Sequence, residues 1–504
     1  MDQSFLQFLD NVSPVIGGKK YLIPPPKLSP LERKQRRLTY RNENMLYKRV
    51  SSLSGESIIS FFDKESPFVV YSHDEWWSEK WDPLNYGMSY DFGRGFFEQF
   101  YELQLRVPRA PLVNNKADNS PYCNFADGNR NCHMVTSANW NQDSYYGFCL
   151  VSCRDTMDSL WCTESELMYE CSDCRNCYHL LFGRHCQNSS DSAFLYDCIG
   201  VKNSLFCVGL RNAEYHIFNK PVSKDEFQKA YNYYICGSYS RLEEAKNMYH
   251  AFLTRYQNTR STFHIASENV SGNNIWNSRN IVDGSDVYDS QDSYFLHDGL
   301  KAKDCSDICF FDGAELSYES TSLIGYGYRF TNYCRDSYDL LYCDSCYSSK
   351  NCFGSIGLRN KEFCIFNVQY SEHEYYEIVS RIIESMHLRG EWGEFFPVQH
   401  SLFSYNETLA YVHFPLDKAD TLSRGWKWKE PESLRSETNI EIIPDSIAEV
   451  APSFCTTLLS CAVSGKPYKI IPQELRFYQT MNLPIPRLCP DQRQRERMAR
   501  RDGG

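Results

Sequence analysis

Cysteine is the residue type in this sequence best placed to do chemistry. The tightest cluster is Cys171-x-x-Cys174-x-x-Cys177, with Cys343-x-x-Cys346 as a partial counterpart. Such spacing can hold a metal ion or run thiol exchange, and His179 and His185 could complete a ligand set. Exchange needs a lowered thiolate pKa, whereas Glu170 and Asp173 beside the cluster raise it, so solenoid packing or metal is favoured over redox work. A second group, Cys455, Cys461 and Cys489, offers three sulfurs at irregular spacing. Structural zinc wants four ligands, so zinc is permitted there but not expected, and no other cofactor is implied.

Other chemistries find little support. There is no nucleophile elbow, phosphate-binding loop, dinucleotide fingerprint or HExxH helix. Asp283, Asp286, Asp289 and Asp292 form an acidic stripe of the kind that polysaccharide-cleaving solenoids use as paired carboxylates, although such residues mostly solvate turns. No catalytic residue is assigned. Arg211 and Arg359 occupy equivalent places in two GLRN motifs, where pairing with a carboxylate across the coil is the plainer role.

Charge is uneven. The net charge of −11 argues against a general affinity for nucleic acid or anionic membrane. Both ends are nevertheless basic. Arg33, Lys34, Arg36 and Arg37 near the start, and Arg493, Arg495 and Arg497 near the end, are candidate RNA or ribosome contacts. Trp76, Trp77 and Trp81 could stack on unpaired bases, but a core role is favoured. No run of 18 apolar residues marks a membrane span, and the opening MDQSFLQFLDNV has neither a basic nor an apolar export region. A cytoplasmic protein with reduced thiols is therefore expected.

The elements that must position these residues announce themselves as repeats. Nine residues separate Cys123 from Cys132, Cys153 from Cys162, Cys162 from Cys171, Cys177 from Cys186, Cys198 from Cys207, Cys334 from Cys343, and Cys343 from Cys352. That step is read as half a coil of a flattened parallel β-solenoid with about 18 residues per turn. VGLRNAEYHIFN (208–219) matches IGLRNKEFCIFN (356–367) at an offset of 148, which indicates an internal duplication. Ser223 with Glu226, and Ser371 with Glu374, are capping boxes that predict helices to about Tyr256 and about His387. PPPKLSPLERKQRR (24–37) aligns with PIPRLCPDQRQRER (484–497) at an offset of 460, so similar small modules are expected at both ends.

The segments YSHDEWWSEKWDPLNYG, FFEQFYELQLRVPRAPLVNNKADNSPYCN, GLRNKEFCIFN and SGKPYKIIPQELRFYQTMNLPIPRLCPDQR together resemble a family widespread among candidate-phyla bacteria. Its members carry cysteine-rich repeats between terminal zinc-ribbon-like modules, and some relatives bear a CaiB/BaiF CoA-transferase label that no residues here support. The resemblance covers nearly the whole chain and implies an architecture, not an activity. The ribbon knuckles are degenerate: Gln492 stands where the second cysteine of one would be, and Ser29 and Ser51 stand at the N-terminal positions.

The expected fold is mainly β with helices: a cysteine-rich parallel β-solenoid in two segments, helical caps, and small ribbon-like modules at both ends. The modules are a degenerate ribbon-like one (1–58), an aromatic-rich segment with a short helix (59–120), the first solenoid segment (121–220), a helical cap (221–260), the second segment (261–370), a helix with a proline-punctuated linker (371–450), and a ribbon-like module with a basic tail (451–504). The expected function is that of a non-enzymatic scaffold that engages a protein partner or itself. RNA or ribosome binding is the alternative, and a carbohydrate-active or CoA-transferase-type enzyme comes third.

Overall fold

The computed structural model describes residues 3–256, 262–430 and 443–502. Residues 257–260 of the expected helical cap, residue 261 of the expected second segment and 431–442 of the expected linker lie outside them. The described chain is rich in parallel sheet with added helices, and none of its helices is long and apolar enough to cross a membrane.

The sequential modules regroup into two discontinuous units. One joins Met1–Pro111 to Arg260–Glu430; the other joins Leu112–Thr259 to Pro431–Gly504. Each unit therefore couples one cysteine-rich stretch with the terminal segment from the opposite half of that stretch's duplicate.

Within both stretches the chain pairs with itself in parallel at a prevailing step of 12, as in Glu166↔Tyr178 and Tyr178↔Ser190, or Tyr338↔Lys350 and Lys350↔Glu362. This corrects the expected 18-residue turn. The physical reason lies in the backbone. Nearly every third residue is in the left-handed region, for example Asp143, Tyr146, Cys149, Ser152, Asp155 and Asp158, all with φ between 44° and 54°. Each such residue turns a corner, so four sides of three residues close one 12-residue rung. Asn and Asp tolerate this conformation best, which explains their abundance at corners.

The residue directly after each corner points inward. From Ser120 to Cys207 every third residue is buried, and the set is dominated by Ser, Cys, Ala, Gly and Leu. A nine-residue cysteine step is therefore three sides of a rung, and a twelve-residue step stacks side chains directly, as in Cys162, Cys174, Cys186 and Cys198. The duplicate shifts phase where Ile324 pairs with Arg335 at a step of 11. Upstream of that shortened rung the copies align at 149, downstream at 148.

The duplicated ends match in detail. His216–Ile217 with Lys220–Pro221, and Glu362–Ile365 with Val368–Gln369, form antiparallel hairpins that close the two ladders. In each turn an asparagine side chain completes the ladder bonds of the rung before it. Val208 N–H donates to Asn219 Oδ1 and Ile356 N–H to Asn367 Oδ1, both at 2.8 Å. Both capping boxes form. The helix after Ser371 spans Glu372–Arg389, close to expectation, whereas the one after Ser223 divides at Gly237 (φ 76°) into Lys224–Tyr234 and Tyr239–Leu253.

Candidate functional sites: two arginine clamps and a retained outer row

The basic ends fold as helices with arginine every fourth residue on one face: Pro30–Leu38, capped by Ser29, and Pro490–Asp502. Each lies against one corner row of the 12-residue ladder in its own unit. Arg33 makes a bidentate pair with Asp307 at 2.8 and 2.9 Å, and Arg37 reaches Asp307 and Glu319 at 3.2 and 3.3 Å. In the other unit Arg493 reaches Asp158 at 2.6 Å and Glu474 at 3.0 Å, while Arg497 reaches Asp158 at 2.9 Å. Asp158 and Glu170, like Asp307 and Glu319, are one rung apart. One turn further on, Arg41 lies over the Phe310 ring and Arg501 over Trp161.

These positions correct the expected phosphate-binding patch. Arg33, Arg37, Arg493 and Arg497 are buried, and their charges are spent on carboxylates of the ladder. Arg36 is half-buried against Glu319 and Glu394. Lys34 is half-buried and Arg495 exposed. Burial drives Glu170 upward, but Arg500, Arg497 and Lys246 together hold its carboxyl down to about 2. A small cavity beside it is lined by Arg184, Lys246, His250 and Arg500. Its cations already have acceptors, Arg500 on Glu170 at 2.6 Å and Lys246 on Glu243 at 2.9 Å.

The first cysteine trio packs inside the ladder. Cys171, Cys174 and Cys177 sit on three successive sides of one rung, and each thiol donates to backbone carbonyls two residues before and nine after it. Cys171 does so to Tyr169 and Leu180 at 3.4 and 3.1 Å, and Cys177 to Arg175 and Cys186 at 3.4 and 3.5 Å. Among the described residues, neither this trio nor Cys455, Cys461 and Cys489 brings three sulfurs within coordinating reach. Burial pushes the Cys171 thiol up, as it does Cys132 to about 11 and Cys305 to about 12, whereas at Cys346 burial is outweighed by hydrogen bonds from Cys334 and Cys343, which bring it down to about 5. The acidic stripe does not gather into one face: Asp283, Asp286, Asp289 and Asp292 occupy successive corners at φ 50–57°, so they face different directions.

The terminal knuckles persist in altered form. The Cys461 and Cys489 side chains meet. Burial raises the Cys461 thiol, yet hydrogen bonds from the Ser464 side chain and from the Ser464, Cys489 and Val463 amides bring it to about 7. At the other end the hydrogen-bond pattern of Cys461 recurs at Ser51. Ser51 N–H donates to Glu56 O and Ser52 N–H to Val70 O, as Cys461 does to Lys466 and Ala462 to Arg487. The partner of Ser51 is thus Ser72, which the sequence comparison missed by following the proline pattern to Ser29. Glu75 fills the centre. Burial would raise its carboxyl, but Ser51, Ser54 and Ser72 hold it to about 2.

One outer row is shared by the two copies. Running up the first stretch it reads Arg130, Gln142, Arg154, Glu166, Tyr178, Ser190, Lys202, Glu214. The duplicate reads Arg279, Gln291, Lys303, Glu315, Tyr326, Tyr338, Lys350, Glu362. Ion pairs such as Lys350–Glu362 at 2.8 Å stitch neighbouring rungs, but Tyr178, Tyr326 and Tyr338 stand out in solvent at 47, 38 and 59% exposure. The GLRN arginines are, by contrast, internal fasteners: Arg211 holds Asp197 at 2.7 Å and Arg359 holds the Trp76 carbonyl at 2.6 Å, with Trp76 and Trp81 buried.

Compared with known proteins, the chain matches no family model, no curated protein and no solved structure.

Proposed function

We propose that this chain is a non-enzymatic scaffold in which each unit is a β-solenoid of 12-residue coils, locked by an arginine helix and presenting the same outer row to a protein partner. The observation that carries this reading is the retained row. Exposed residues drift unless something outside the fold constrains them, and inward positions of the two copies have indeed diverged, as at Cys132/Ile281 and Cys162/Phe311. Two equivalent rows on one chain suit a partner that is itself repeated, or a second copy of this chain. Exposed tyrosines flanked by charge pairs have the amphipathic character that protein interfaces favour.

The test uses the full chain and a variant carrying Tyr178→Asp, Tyr326→Asp and Tyr338→Asp. Capture from cell extract, with and without nuclease, and sedimentation over a concentration series should give a nuclease-resistant complex or self-association that the variant loses. Loss of all captured material on nuclease treatment would favour RNA binding instead. Identical behaviour of the two proteins would refute the row as the binding surface.

A further inference from the structure

We infer that the rung containing Asp286, His297 and Asp298 is a binding site for a first-row divalent metal ion of the zinc or manganese class. The three side chains are 4, 5 and 6% exposed, and one donor atom from each lies within 4.8 Å of the others. Asp286 and Asp298 stack at one corner, one rung apart, and His297 precedes Asp298, so the ladder itself sets the cluster. His413, at the end of the helix Leu409–His413, brings a second imidazole alongside, its ring centroid 5.4 Å from that of His297. Imidazole with carboxylate is a donor set for divalent zinc, manganese, iron or cobalt, and two carboxylates neutralise the ion's charge.

The surroundings orient these donors as metal ligands are commonly oriented. Ser285 Oγ lies 2.5 Å from His297 Nδ1, which turns Nε2 toward Asp298 at 3.3 Å. Asn274 Nδ2 donates to Asp286 Oδ1 at 2.7 Å, and Trp276 Nε1 holds Asn274 Oδ1 at 2.8 Å. Hydrogen bonds of this sort fix tautomer and ring angle and sharpen affinity.

Folding alone does not ask for this cluster. At the offset of 149 that aligns the two copies, the same places hold Ser137, Phe148 and Cys149, and Phe148 packs its ring against Trp161 at 4.8 Å. An apolar filling is thus compatible with the rung, and one copy carries two acids and a histidine there instead. Two carboxylates and an imidazole gathered in one buried place supply the donor types and the negative charge that a divalent cation takes.

The experiment uses the full chain, stripped with chelator and titrated with Co²⁺ and Zn²⁺. Expected are one bound ion per chain by elemental analysis, a visible Co²⁺ spectrum without thiolate charge-transfer bands, and a rise in unfolding temperature. His297→Phe, which installs the residue of the other copy, and Asp298→Asn should each weaken binding by about 100-fold or more while the far-ultraviolet circular dichroism is kept. Cys461→Ser should leave binding unchanged. No stoichiometric ion, binding indifferent to His297→Phe, or binding abolished by Cys461→Ser would each overturn the assignment.

Discussion

Arg493 donates to Asp158 at 2.6 Å across 335 residues of sequence, with both side chains almost wholly withdrawn from water. Arg33 and Asp307 repeat the relationship in the other unit at 2.8 Å. Removing one member of a buried pair strands the other charge, which typically costs about 3–5 kcal/mol. Arg493→Ala and Arg33→Ala should each lower the unfolding free energy of one transition by that order, read from urea unfolding curves. Arg495→Ala, on the exposed side of the same helix, should change stability by less than about 0.5 kcal/mol.

Glu170 gives the clamp a pH dependence. Its folded value of about 2 lies below the ordinary 4.5, so its ion pairs stabilise fully above pH 4.5 and are lost as pH falls toward 2. The contribution is at most about 3 kcal/mol. Urea unfolding at pH 6 and pH 3 should show a larger drop for the wild-type chain than for Glu170→Gln.

Thiol accessibility checks the inward packing. Of 22 free cysteines only Cys149, Cys236 and Cys455 are not buried. A disulfide-exchange reagent should titrate about three thiols quickly in the native protein and all 22 in guanidinium. Fast reaction of more than half would contradict the ladder.

The 12-residue register is open to direct surgery. Deleting residues 130–141 removes one whole rung and lets Asp118 pair with Gln142 in place of Arg130. Deleting residues 133–141 removes nine and rotates every downstream side by a quarter turn. Circular dichroism and thermal melts should find the first variant folded and the second collapsed or aggregated.

Much of this architecture was legible locally. The duplication, the capping boxes, the closing GLRN…IFN segments and a parallel repeat all follow from residues near one another in sequence. The coil size did not, because attention to cysteine alone selects a step of nine. The underlying period is three, visible once Ser, Ala, Gly and Asn are counted with Cys at 120, 123, 126, 129 and onward. That period is local because each corner is a single left-handed residue, and each inward place admits only a small or slender side chain.

The roles of the charged residues were decided by tertiary structure. Nothing near Arg33 or Arg493 in sequence distinguishes a phosphate contact from a buried ion pair, since their partners lie 274 and 335 residues away. The same holds for Ser72 and Glu75 in the N-terminal knuckle, and for His413 beside His297. Short-range sterics set the rung; only chain closure over hundreds of residues sets which charges meet inside it.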